Sequence, residues 1–123
     1  MATVLITGAA GFIGRALTSA LKSAHYVVAV DLREVPEAER LPGVTYAVAD
    51  IGDPKLSEIF RTYQPQSVVH LASVVAAGGD PERDYRIDVL GTKNVLEATL
   101  ASGAKHIVIT SSGAAYGYHA DNP

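Results

Sequence analysis

Cysteine is absent from the 123 residues, so neither a disulfide framework nor a thiolate metal site is open to this chain. Basic residues are not in excess: 10 Lys and Arg stand against 13 Asp and Glu, for a formal net charge of −3. That balance argues against a phosphate-backbone partner such as DNA or RNA. No apolar run approaches the length needed to cross a bilayer. Met1-Ala2-Thr3 leads directly into an apolar run, without the basic segment and cleavage site of a secretory leader. His25, His106 and His119 lack metal-like spacing and read as surface residues. What the chain does have is 48% hydrophobic and 19% charged residues, enough to pack one core in a single domain over residues 1–123. A cytoplasmic domain is the expectation.

Short apolar runs alternate with helical patterns along the chain. Val4-Leu5-Ile6 reads as a strand buried on both faces. Ile13, Leu17, Leu21 and Ala24 then recur at helical spacing. Tyr26 to Val30 is a second strand, and residues 32–43, with Pro36, Pro42 and Gly43, read as a loop with at most a helical turn. Val44 to Ala49 is a third strand. Asp53-Pro54 looks like a helix start, with Asp as N-cap and Pro at the first helical position. Ser67 to Leu71 is a fourth strand. Asp80-Pro81 opens the longest helix, which Gly103 ends, and Ile107-Val108-Ile109 is a fifth strand. The alternation predicts an α/β, doubly wound, Rossmann-type parallel sheet of order 3-2-1-4-5 that stops after its fifth strand. Its ligand crevice is expected between strands one and four.

Between the first strand and the first helix lies Thr7-Gly8-Ala9-Ala10-Gly11-Phe12-Ile13-Gly14. Its first glycine permits a tight turn, its second lets backbone approach a pyrophosphate, and its third lets helix and sheet pack closely. The helix N-terminus offers free N–H groups to the anion. The spacing is G-x-x-G-x-x-G rather than G-x-G-x-x-G. Asp31 ends the second strand roughly twenty residues after the first glycine, where a carboxylate hydrogen-bonds a ribose diol and repels a 2′-phosphate. NAD is therefore expected over NADP. Arg33, two residues on, is the group that would accommodate a phosphate, and it reads as a solvated loop residue.

These residues resemble the extended short-chain dehydrogenase/reductase family, the NAD-dependent epimerases and dehydratases. Asp50-Ile51, His70-Leu71-Ala72-Ser73, the helix segment Gly91 to Ala98 and Thr110 to Gly117 add further local matches, in order along nearly the whole chain. The resemblance implies that Gly8, Gly11, Phe12, Ile13 and Gly14 hold the pyrophosphate and Asp31 the adenosine ribose. It implies that Asp50 meets the adenine amino group with Ile51 against the ring. Leu71, Ala72 and Ser73 would line the crevice towards the nicotinamide ribose, and Ser112 would be the catalytic hydroxyl. Bland alternatives stand beside these roles. Asp50 is also a solvated strand end, Leu71 and Ala72 are core material, and Ser112 is a turn residue bonding its own backbone. His70 and Tyr85 read as packing residues. Asp88 stands where many relatives carry Asn, which puts in doubt that helix's polar contact to the neighbouring loop.

The family's Tyr-x-x-x-Lys acid–base pair does not occur in the chain, and hydride transfer from an alcohol needs a route for its proton. Two functions follow as expectations. One is the cofactor-binding portion of an NAD-dependent epimerase or dehydratase acting on a hydroxyl-bearing small molecule such as a nucleotide sugar. The other is a non-catalytic NAD(P)-binding sensor or interaction module. The apolar fifth strand and the long helix also predict a homodimer.

Overall fold

The computed structural model describes residues 1–74, 79–117 and 119–121. Strand β1 (Thr3–Thr7) is the axis of the molecule. It pairs in parallel with β2 (Tyr26–Asp31) on one side and β4 (Ser67–His70) on the other. Beyond them lie β3 (Thr45–Val48), paired with β2, and β5 (His106–Ile109), paired with β4. The order is β3-β2-β1-β4-β5, as the alternation of apolar strands and helices predicts. The chain runs outward from β1 in both directions, so a crevice opens between β1 and β4 at their carboxyl ends.

Strand side chains alternate between faces, and each face has its own core. Leu5, Val28, Val30 and Val68 pack under Leu56, Ile59 and Phe60 of α2 (Lys55–Tyr63) and under Val95 and Ala98 of α4 (Thr92–Ser102). Val4, Ile6, Val27 and Ala29 face the other way, with Leu17 and Leu21 of α1 (Phe12–Leu21) against them. Burying each such aliphatic or aromatic side chain stabilises by about 1.5–3 kcal/mol, and the two-sided layer explains why these strands carry no polar alternation.

Several boundaries depart from the sequence pattern. Helix α1 ends at Leu21, short of Ala24, because residues 22–24 form a turn in which His25 N–H bonds the Leu21 carbonyl at 2.9 Å. Asp53 caps α2 through its carboxylate, which accepts the Lys55 N–H at 2.8 Å, but the helix begins one residue after Pro54. The expected single long helix is three segments: α3 (Pro81–Tyr85), a π-helical stretch (Arg86–Gly91), and α4. Asp80 caps its start by accepting the Glu82 and Arg83 N–H groups, and Gly103 ends it with φ +75°. Tyr85, expected to pack, is 57% exposed, because none of α3 is buried against the core. His25, expected at the surface, is half-buried, and its Nδ1 is shielded with no hydrogen-bond partner among the described residues.

Candidate functional site

At the end of β1, Gly8 turns the chain with φ +69°. A Cβ there would sit 2.7 Å from the Ala72 nitrogen and 2.9 Å from the Leu71 carbonyl carbon. Glycine is required twice over, by the left-handed backbone and by the approach of the segment that follows β4. The first bond of α1 runs from Arg15 N–H to the Gly11 carbonyl at 3.0 Å, which leaves the N–H groups of Phe12, Ile13 and Gly14 unclaimed by backbone among the described residues. The side chains of Phe12 and Ile13 are 93% and 60% exposed. A Cβ on Gly14 would strike the Gly8 carbonyl oxygen and lie 2.6 Å from Ala9 Cα. The third glycine is what lets α1 rest on the turn.

Asp31 closes β2 beside this turn. Its Oδ2 accepts the Ala10 N–H at 2.9 Å and its Oδ1 the Arg33 N–H at 3.0 Å. The carboxylate thus fixes the glycine turn and still keeps lone pairs for a ligand. Arg33 Nε lies 3.9 Å from Oδ1 on a side chain that is 72% exposed, so a guanidinium stands at the rim without filling the site. After β3, Asp50 Oδ1 accepts the Gly52 N–H at 2.9 Å, holding a turn that presents Ile51. Helix α4 and the end of the π-helical stretch brace that turn: Asn94 Nδ2 donates to the Ile51 carbonyl at 2.6 Å, and a Cβ on Gly91 would meet Ile51 Cδ1 at 2.6 Å.

These pieces surround one cleft of about 300 Å³ at the carboxyl ends of β1 to β4. It is lined by Gly8, Gly11, Asp31, Asp50, Ile51, Leu71, Ala72 and Ser73, together with Leu32, Arg33, Ala49 and Ile87. Of the residues singled out in the sequence, Phe12, Ile13 and Gly14 stand at the opening of α1, outside the lining. Ser112 does not line the cleft either. It is exposed, and its Oγ accepts the Ala114 N–H at 3.1 Å at the start of a short turn, Gly113–Tyr116. Leu32, Ala49 and Ile87 were not legible as lining residues. Ala49 differs in no way from core material in sequence, and Ile87 reaches the cleft from the π-helical stretch, which no periodicity announces. The doubt attached to Asp88 is removed: its Oδ1 accepts the Val74 N–H at 3.0 Å, and a carboxylate oxygen does this as an amide oxygen would. His70 is 3% exposed, and burial holds its imidazole below the ordinary proton affinity, with the Asp88 carboxylate opposing the effect in part. Among the described residues no group of His, Asp and Glu is arranged to hold a metal ion, and no helix is long and apolar enough to cross a membrane.

The model of the NAD dependent epimerase/dehydratase family matches residues 4–123. The chain belongs to that family. Its sequence is 36% identical to a UDP-glucose 4-epimerase of Mycolicibacterium smegmatis over 89% of this chain and 38% of that protein. It is 32% identical to one from Klebsiella pneumoniae over 93% of this chain and 91% of that sequence. Among solved structures, the Thermotoga maritima UDP-glucose 4-epimerase with UDP-glucose superposes with a TM-score of 0.86 at 28% identity, over 97% of this chain and 41% of that one. The Thermus thermophilus UDP-glucose 4-epimerase complex with NAD gives a TM-score of 0.82 at 31% identity, over 90% and 38%. This epimerase/dehydratase family member therefore spans about two fifths of the length of the Mycolicibacterium relative.

Proposed function

We propose that this chain supplies the NAD-binding portion of a nucleotide-sugar epimerase or dehydratase. One observation carries it: the glycine turn, the Asp31 carboxylate, the Asp50–Ile51 turn and the Leu71–Ser73 segment converge on a single cleft at the switch point of the sheet. Support for a dinucleotide comes from the cradle itself, where Gly8 and Gly14 leave space that a Cβ would fill and the first three N–H groups of α1 have no backbone acceptor among the described residues. Gly8, Gly11, Phe12 and Ile13 bind the pyrophosphate through backbone, and Gly14 makes the approach possible. Asp31 takes the adenosine ribose hydroxyls, Asp50 the adenine amino group and Ile51 the adenine face. Leu71, Ala72 and Ser73 border the nicotinamide ribose, and Ser112 orients the reacting substrate oxygen. The bound nicotinamide supplies hydride chemistry at its C4. A homodimer also belongs to this proposal, supported by the exposure of Leu100 (82%), Val108 (58%) and Ile109 (41%).

Calorimetric titration with both cofactors is the test. Tighter binding of NAD than NADP is expected, and Asp31→Asn, which removes the charge but keeps an acceptor for the Ala10 N–H, should narrow the gap about tenfold or more. Equal affinities in the unmutated chain would contradict the assignment of Asp31. A second reading, a non-catalytic NAD-binding module, is favoured by the local bond of Ser112 to Ala114. Whether the gene's reading frame beyond Pro123 encodes a Tyr-x-x-x-Lys pair discriminates between the two.

A further inference from the structure

The ends of β1 and β4 are joined by a buried bridge of side chains that the cofactor assignment leaves unused. Thr7 and His70 are register partners, 0% and 3% exposed. Thr7 Oγ1 lies 2.7 Å from His70 Nδ1 and also accepts the N–H groups of Leu71 and Ala72, each at 3.2 Å, the Leu71 N–H being shared with the Thr7 carbonyl at 3.2 Å. A hydroxyl has two lone pairs and one proton. With both lone pairs committed to backbone N–H groups, the Thr7 proton goes to His70 Nδ1. The imidazole proton then sits on Nε2, which donates to Thr92 Oγ1 of α4 at 3.0 Å. The arrangement that satisfies every one of these contacts at once is that of a neutral imidazole with its proton on Nε2.

What the bridge holds is the floor of the cleft. Leu71 and Ala72 line it, and the Ala72 nitrogen passes within 2.7 Å of where a Gly8 Cβ would be. The Leu71–Ala72 peptide therefore runs under the glycine turn without slack. We propose that the Thr7–His70–Thr92 bridge positions this floor for the dinucleotide only while His70 is neutral, so that acid weakens NAD binding through a residue outside the cleft lining. The inference rests on the NAD site proposed above.

A second proton on His70 would sit on Nδ1 and meet the Thr7 proton head-on. Thr7 must then rotate and release at least one of the two N–H groups. The neighbours of His70 on β1, β5 and α4, namely Thr7, Ile109 and Thr92, bring no charge. From the π-helical stretch the Asp88 carboxylate favours the imidazolium, but burial is the larger effect and disfavours it. Neutral His70 thus prevails at neutral pH, and its midpoint lies below the ordinary imidazole value of 6.5. The sign follows: affinity is full well above that lowered midpoint and is lost as pH falls through it.

Titration calorimetry with NAD on this chain from about pH 8 to about pH 5 should show level affinity, then a fall of about tenfold below the ordinary imidazole range. Circular dichroism at each pH separates this from unfolding. His70→Asn, which keeps an acceptor near the Nδ1 position, should bind NAD within a few-fold and lose the acid-dependent fall. Thr7→Val should weaken binding about tenfold at every pH, with Thr7→Ser restoring it. Nitrogen-15 NMR of His70 should find its single proton on Nε2 at neutral pH. An affinity that does not change with pH in a folded chain, or an acid-dependent fall that persists in His70→Asn, overturns this inference alone. No NAD binding at the upper pH by the folded chain overturns the site assignment and the inference with it.

Discussion

Gly14 illustrates how a single residue serves both fold and site. In a helix, Gly→Ala ordinarily gains about 0.8–1 kcal/mol of propensity. Here the new methyl would meet the Gly8 carbonyl oxygen and the Ala9 backbone, neither of which is the yielding tip of a side chain. Overpacking of this kind costs about 1–3 kcal/mol, so Gly14→Ala should destabilise on balance. It should also weaken NAD binding, because α1 must lift from the turn it rests on. Chemical denaturation with parallel NAD titration measures both, and a stabilised variant with unchanged affinity would contradict this account of the turn. Asp31 shows what was not legible at this scale. Sequence position marks it as a ribose acceptor, but its bond to the Ala10 N–H is a tertiary fact, set by β2 lying beside β1.

Among the elements, the strands were readable because burial on both faces leaves them continuously apolar, as in Val27-Val28-Ala29-Val30. Helix caps were readable where the capping group is local, the Asp80 carboxylate at one end and the left-handed backbone of Gly103 at the other. The π-helical stretch was not, since residues 86–91 carry no composition that distinguishes one hydrogen-bond register from another. Yet it delivers Ile87 to the cleft and Asp88 to Val74, in keeping with the frequent placement of such segments at functional sites. The last turn of α2 tests the core away from the cleft. Phe60, 1% exposed, fills the layer between α2 and the sheet, and Phe60→Ala should cost about 3–5 kcal/mol. The cleft lies at the other end of the strands, so the NAD affinity of the folded fraction should hold. A loss below 1 kcal/mol in denaturant titration would mean that α2 is not packed as described.

For the whole molecule, the parallel sheet follows from the alternation of strands and helices, while the order with β1 beside both β2 and β4, and with it the place of the crevice, is fixed by the pairing seen in the structure. Surface exposure does not follow so simply. Leu90 and Leu100 on the long helical rod and Val108 on the edge strand are uncovered in the single chain, and such patches favour association. Light scattering coupled to size exclusion at micromolar concentration should find a dimer or larger species, and a monodisperse monomer would remove that part of the proposal. In the function proposed above, one cleft at the carboxyl ends of β1 to β4 takes the dinucleotide. A nitrogen–proton NMR titration of the chain with NAD tests it most directly. Saturable shifts are predicted at Gly8, Gly11, Phe12, Ile13, Asp31 and Leu71 to Ser73, with α2 unaffected. The absence of saturable shifts, or shifts gathered on α2 or the amino ends of the strands, would contradict it.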